Sequence, residues 1–589
     1  MDNYSYWNYW KRPLKLHELM AEIENIDDDE LIPDTIAVLK PVNANEYNTD
    51  EDSGDENEVD INNLPGSQLM TEVEVVFGNK GSNQTTVDSD FDSDDDLPLS
   101  TFLTKKRPKL SKPNYSWKKG DINQDFPEWV NATGPKNSLS PLELFFQFID
   151  DEVIDLVVKY SNIYAIQHNR QGDIHSSEIK CFIGVLLLSG YNSFPRRSMY
   201  WENNSDAGNK LVYSALSRDR FSFIMQTLHL NDNNNLENTD KFSKLRPLFS
   251  TLNEKFQSFA PLEECHSVDE SMVPYYGGHG SKQFIRGKPI RWGYKVWVET
   301  TKKGYIEWFE PYQGSTTIIS EKYRPLGLGA SVVLQFADII QSQCEKAPFH
   351  IFCDNFLPDL QGVKCTGTLR ENRLSDCPLE KSSTFKKKSR GSFDYLLEEN
   401  QNNIVCKWND NSVVTIASHV TSPFPTQQVK RFSQKEKKMI HVEQPCLIKQ
   451  YNENMGSVDR AGQNISLYRV GIRGKKWYFC LFSHALNMAE QNAWQLHKHS
   501  GGKMDHLRFR RCIAAGLLET YKKETKRGPS KPGKYLHYES RYDRMDHLVN
   551  YQEKQTSCAF CHKQAAFRCQ KCDVALHPKM RFLSYHTKN

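Results

Sequence analysis

A chain of 589 residues is too long for one core and fits several domains. Its 38% apolar and 25% charged residues suit a packed, water-soluble body. The longest apolar run, near Cys181–Leu188, falls far short of a membrane span, so no membrane partner is expected. No basic-then-apolar signal segment opens the chain, which predicts a reducing compartment and makes the 14 cysteines thiols or metal ligands.

The net charge of +1 conceals a split. Residues 1–100 carry 5 Lys/Arg against 25 Asp/Glu, and the remainder carries 70 against 49. An acidic tail is joined to a basic body, and basic bodies attract polyanions, nucleic acid first. Residues 1–115 read as a disordered acidic tail, because runs such as Asp88–Asp96 cannot bury enough apolar surface to offset ordering entropy. The basic pentamer Lys105–Lys109 within it is a nuclear-import candidate, which makes the nucleus the expected location.

Order is expected from Ser140-Pro-Leu-Glu143, a capping box with proline at the first helical position. Helical periodicity then runs through Val153–Val158 and from Ser177 into the leucine run, so residues 116–262 read as a helical domain. Arg196, Arg197, Arg218 and Arg220 fall near its turns and are either surface charges or phosphate contacts.

From His266 the texture becomes that of strands. Ser267–Val273 is short and interrupted by Asp269, and Ile290–Val298 and Tyr305–Phe309 form a hairpin about Lys302–Gly304. Ser331–Gln341 is an amphipathic helix, and Phe349–Cys353 is a strand buried on both faces that ends at Asp354. This order opens an α/β, RNase H-like sheet, in which Asp269 and Asp354 would project into one crevice. Convergent carboxylates can hold paired Mg²⁺ ions for phosphodiester chemistry, although an aspartate after a strand is more often a turn residue.

The strings "SVDESMVPYYGGHGSKQFIRGKPIRWGYK", "IFCDNF", "KCTGTLREN", "RGSFDY", "WNDNSVVTIAS", "GSVDRAGQN" and "RGKKWY…NAWQLHK" together resemble the piggyBac transposable element-derived family. The resemblance implies an RNase H-like transposase core over 263–370 and 451–520, with a β-rich insertion at 371–450. It implies cut-and-paste transposition at TTAA targets by three metal-holding aspartates, which fall on Asp269, Asp354 and Asp459. It also implies a homodimer on double-stranded DNA, and assigns dimerisation and DNA binding to the helical domain at 116–262. The basic strings place phosphate contacts at Arg286, Lys288, Arg291, Lys295, Arg473, Lys475 and Lys476.

Two departures stand against activity. The family repeats an acid three residues after the third aspartate, where this chain has Gly462. The strand ending at Asp354 and the strand starting at Val363 should be parallel neighbours, yet only Asn355–Gly362 joins them. A parallel connection usually takes a dozen residues or more and a helix, so one sheet face is expected to be uncovered and the core unstable. The alternative function is thus an inactive copy that binds DNA or chromatin without cutting it.

A flexible basic linker at 521–550 leads to a cysteine-rich end at 551–589. Cys558-x2-Cys561-x7-Cys569-x2-Cys572-x4-His577 carries paired soft ligands at zinc spacing. The resemblance implies two cross-braced Zn²⁺ sites, with Met580 standing where the pattern has a cysteine and His586 closing the set one residue late. Cross-bracing would pair Cys558 and Cys561 with His577 and leave a fourth ligand missing; a four-cysteine site is the other arrangement.

Overall fold

The computed structural model describes residues 35–38, 73–76, 115–122, 126–129, 139–522, 542 and 547–587, apart from 205, 286–287, 289, 345–346, 355–362, 372–376, 401 and 434–435. The tail expected at 1–115, its import cluster and most of the 521–550 linker lie outside these residues. Within the tail, two apolar tetrapeptides, Thr35–Val38 (β1) and Val73–Val76 (β2), pair antiparallel. Trp117–Lys118 (β3) follows.

Residues 140–260 are helical. Pro141–Phe146 (α1) opens as its sequence dictates: Ser140 Oγ accepts the Glu143 amide at 3.3 Å, and Glu143 accepts the Ser140 amide at 2.8 Å. Asp151–Gln167 (α2), Ser176–Ser189 (α3), Lys210–Ala215 (α4), Arg218–Thr227 (α5) and Arg246–Ser258 (α6) complete this part. Helix α3 is apolar almost all round and is buried along nearly its whole length, as such a helix must be. Arg220 is not a free phosphate contact. Its guanidinium donates to Glu178 at 2.7 and 2.8 Å and to Asp173 at 2.8 Å, which pins α5 to the start of α3.

The strands then begin with Cys265–Pro274 (β4), Lys282–Phe284 (β5), Trp292–Thr301 (β6) and Ile306–Pro311 (β7), the last two being the expected hairpin. Leu328–Gln343 (α7) leads to His350–Cys353 (β8) and Lys364–Thr368 (β9). Ser382–Phe385 (α8) precedes Phe393–Glu398 (β10), Asn403–Asn409 (β11), Val413–Ser418 (β12), Gln427–Ser433 (β13) and Lys438–Gln444 (β14). Cys446–Asn454 (α9), Ser457–Leu467 (α10), Phe479–His499 (α11) and His506–Thr520 (α12) follow. Val549–Ser557 (β15), Gln564–Cys569 (β16), Val574–Ala575 (β17) and Met580–His586 (α13) form the C-terminal unit.

Ten strands make one mixed sheet in the order β3-β10-β11-β12-β9-β8-β4-β6-β5, with β7 also on β6. Strands β10–β12 therefore extend the sheet through β9, while the following β13–β14 stand apart from it as a hairpin. Strands β4, β8 and β9 are parallel neighbours, while β6 runs antiparallel to β4.

The short connector does not uncover the sheet. Val332, Phe336 and Ile340 of α7 pack with Ile351, Cys353, Val363 and Cys365 on one face. On the other face, Val458, Ala461 and Ile465 of α10 pack with Val296 and Val298 of β6. All four β8 residues are buried. The register, His350 opposite Lys364 and Cys353 opposite Gly367, requires the chain to return about 10 Å along the strands and ~5 Å across. The eleven steps from Cys353 to Lys364 can reach about 36 Å. A crossover helix is a packing preference, and here neighbouring helices already cover both faces. Among the described residues, no helix is long and apolar enough to cross a membrane, and all 14 cysteines are free thiols.

Candidate metal centres and nucleic-acid interface

Strand β4 pairs with β6 along its whole length but with β8 only as far as Val268 opposite Cys353. The next residue on each strand is an aspartate, Asp269 or Asp354. Asp269 does not interrupt its strand, as the sequence suggested; it stands within β4 where β4 runs on past the end of β8. The third aspartate arrives from α10. Ser267, two residues before Asp269, and Ser457, two before Asp459, share a hydrogen bond of 2.5 Å between their hydroxyls. Arg460 adds a second tie, donating to the Lys302 carbonyl at 3.0 Å.

Lys288 registers the convergence. Its Nζ lies 3.6 Å from Asp269 Oδ2 and donates to the Glu270 carbonyl at 3.3 Å. Burial alone would lower its pKa, yet it is raised, because Asp269, Glu270, Asp459 and Asp354 all act on the ammonium. A residue expected to contact phosphate thus sits among the aspartates as their counter-ion. Asp269 itself is pushed up to about 8, first by burial and then by Glu270, with Asp354 adding and Lys288 opposing. Tyr451 on α9 donates to Asp354 Oδ1 at 2.8 Å, and burial and that carboxylate push its own pKa well up. Spacing gave no signal for Tyr451, while Glu270 lay in plain sight beside Asp269.

An all-oxygen donor set with one ammonium among its carboxylates fits a hard divalent cation such as Mg²⁺. The site also has room for the absent fourth acid, since a Cβ on Gly462 would meet nothing within 4 Å. Without a cation, Asp269 holds a proton below about pH 8. Its raised pKa contributes stability that is complete below the ordinary carboxylate range and is lost as pH rises through 8. Cation binding must release that proton, so Mn²⁺ affinity is expected to rise about tenfold per pH unit from 6 towards 8 and then flatten. Calorimetric titration at pH 6, 7 and 8.5 checks this; an affinity that does not move with pH refutes it.

The cysteine-rich end forms two clusters. Cys558, Cys561 and His577 make one, and His547, Cys569, Cys572 and His586 make the other, with the donor atoms of each set within 4.8 Å of one another. This is the cross-braced pairing, not the four-cysteine arrangement. In the second cluster, Cys572 Sγ lies 3.4 Å from His586 Nε2 and 3.4 Å from His547 Nδ1, and Cys569 Sγ lies 3.5 Å from His547 Nδ1. Bonds of about 2.3 Å to sulfur and 2.1 Å to nitrogen make a tetrahedral edge of roughly 3.5 Å, so the set fits Zn²⁺. His547 escaped notice because it lies before β15, within the expected linker.

The first cluster has three donors. His577 Nε2 is buried without a hydrogen-bond partner, and Arg581 donates to Cys561 Sγ where a fourth ligand would approach. Burial raises the Cys558 thiol, but the amides of Phe560, Cys561 and His577 outweigh it and leave the pKa below its ordinary value.

The remaining basic residues divide. Arg473 and Lys475 are exposed and Arg291 is half-buried. Lys476 donates to the Leu228 carbonyl at 3.1 Å and lies over the Tyr164 ring. Lys295 is 8% exposed, with its ammonium over Trp297 and Tyr312, so it faces aromatic rings rather than a surface phosphate. Arg286 lies outside the described residues.

Residues 140–494 match the sequence family described as Transposase IS4, which places the chain in the transposase class. It is 44% identical to human piggyBac transposable element-derived protein 3, covering 98% of this chain and 100% of that relative. It is 41% identical to human piggyBac transposable element-derived protein 2, covering 94% of this chain and 93% of the relative. The chain belongs to the piggyBac transposable element-derived family. Its fold resembles the cryo-EM structure of a piggyBac transposase synaptic complex with hairpin DNA, with a TM-score of 0.53 and 17% identity over 75% of this chain and 95% of that one.

Proposed function

We propose that this protein is a nuclear DNA-binding protein of transposase descent whose Asp269, Asp354 and Asp459 form a divalent-metal centre for phosphodiester chemistry at TTAA targets. The observation that carries the reading is the convergence of the three aspartates: Asp269 and Asp354 each follow the last β4–β8 pair, and the Ser267–Ser457 hydroxyl contact holds the helix of Asp459 against β4. The strand order β7-β6-β4-β8-β9, with β4, β8 and β9 parallel, supports an RNase H-like core, and the β-rich residues 371–450 fit an insertion on it. The fold neighbour was captured with hairpin DNA, which supports double-stranded DNA as the partner; the homodimer rests on the family resemblance alone. Helices α1–α6 are read as the helical domain, and the two thiol–imidazole clusters as a small zinc domain.

When bound, Mg²⁺ would activate the attacking oxygen and stabilise the leaving one. The chain's own contribution is positional. Strands β4 and β8 hold two carboxylates rigidly side by side, and Tyr451 orients Asp354. The alternative, a copy that binds DNA or chromatin without cutting, is favoured by Gly462.

The binding half is tested by salt titration of the full chain on duplex DNA. Log affinity is expected to fall linearly with log salt, and Arg473→Ala and Lys475→Ala are each expected to reduce the slope by about one. Salt-insensitive binding, or slopes unchanged in both variants, would overturn it.

A further inference from the structure

The sheet face opposite the aspartates carries a second group of titratable side chains that the reading above does not use. His266 on β4, Glu299 on β6 and Glu307 on β7 offer donor atoms within 4.8 Å of one another. Glu299 is 0% exposed, and His266 and Glu307 are each 1% exposed. The α7 side closes over them, with the Phe336 and Phe349 rings 5.8 and 5.5 Å from the His266 ring.

Hydrogen bonding fixes which way the imidazole faces. His266 Nε2 lies 2.8 Å from the Glu263 carbonyl, which can only accept, so Nε2 carries the proton. In a neutral ring, Nδ1 then turns its lone pair towards Glu299 Oε1 at 2.9 Å and Glu307 Oε1 at 3.8 Å. A lone pair facing two carboxylates needs either a positive charge between them or a proton held on one of the carboxyls. The second oxygens, Glu299 Oε2 and Glu307 Oε2, are buried without a close hydrogen bond, and the only neutral donors bearing on the two carboxyls among the described residues are the Glu307 amide and the Gln343 side chain. Two carboxylates fully removed from water must either meet a compensating charge or keep a proton, and no Lys or Arg is paired with either glutamate in the hydrogen bonds and ion pairs described.

We infer that His266, Glu299 and Glu307 bind one buried divalent transition-metal ion of the zinc type, which staples the three strands that position Asp269. Two carboxylates and a neutral imidazole neutralise a doubly charged ion. A histidine whose other ring nitrogen is held by a backbone carbonyl is the usual form of a metal-bound imidazole. Bonds of roughly 2.0–2.2 Å set tetrahedral donor atoms about 3.4 Å apart, between the 2.9 Å His266–Glu299 and 3.8 Å His266–Glu307 spacings. The site is built independently of the aspartates, because Val268 and Glu299 face α7 while Asp269 and Val298 face α10.

The test is zinc content of the full chain after Zn²⁺ loading and exhaustive dialysis. The Glu299→Gln/Glu307→Gln chain is expected to hold about one equivalent less than the parent and to melt at lower temperature. In a Cys558→Ser/Cys572→Ser chain, whose core is untouched, about one equivalent should remain, and Asp269→Asn should not remove it. With Co²⁺, that remaining ion should show ligand-field bands without thiolate charge transfer. No residual equivalent in the cysteine variant overturns the site. So does a glutamine variant that binds as much zinc and is as heat-stable as the parent, which would make the cluster a proton-sharing trio. The cysteine variant decides the matter even where the glutamine variant fails to fold.

Discussion

Replacing Asp269 with Asn is expected to lower metal-dependent DNA strand cleavage by about a thousandfold or more, roughly 4 kcal/mol of transition-state stabilisation. The substitution keeps the shape of the side chain and removes only the ionisable oxygen. Asp269 lies at the centre of the group, beside Asp354 in the parallel register, within 3.6 Å of the Lys288 ammonium, and tied through Ser267 to the helix that carries Asp459. Its carboxyl is the group that burial raises to about 8, so deprotonating it is part of loading the centre. The apo protein should become slightly more stable near neutral pH, because a buried carboxyl that resists ionisation is gone. DNA affinity should stay within about twofold, since phosphate contacts come from other side chains. Retained cleavage would remove Asp269 from the chemistry. A parent chain that binds DNA and never cuts it, with Mg²⁺ or Mn²⁺, would establish the non-cutting alternative.

The second large effect concerns the C-terminal unit. Cys572→Ser should release about one equivalent of zinc and unfold residues 547–587 while the melting of residues 140–520 is unchanged. Structural zinc supplies roughly 10 kcal/mol or more to a unit this small, whose own core is only a few side chains around Cys558, Ala565 and Leu576. Cys572 is the sharper choice because its cluster has four donors, two of them within 3.4 Å of its sulfur. Limited proteolysis with and without chelator reads the outcome. A C-terminal unit equally resistant in parent, variant and chelated protein would show that it folds without metal.

Much of this was legible beforehand. The Ser140 cap, the hairpin about Lys302–Gly304 and the buried strand ending at Asp354 follow from local chemistry, and the structure forms each of them. The two CxxC pairs announced a metal site without assigning its ligands, since cross-bracing is a property of the folded unit. His547 could not be found by spacing, because the turn that brings it to Cys569 and Cys572 depends on pairing of β15 with β16. Tyr451 and Lys288 were hidden for the same reason: their roles arise from elements that meet only across the sheet. The connector at 355–362 misled because a usual packing solution was taken for a requirement of reach.

The Ser267–Ser457 hydroxyl pair joins residues 190 positions apart in the chain. The segment between them, from β5 through α9, is the loop that this bond closes. Loop-closure entropy makes such a contact among the last to form, and chains rich in distant contacts fold slowly. A nascent chain therefore carries Asp269 and Asp354 before Asp459 has been added. The three-carboxylate centre is complete only once residues beyond 457 have emerged, so fragments ending earlier bear two aspartates and no third.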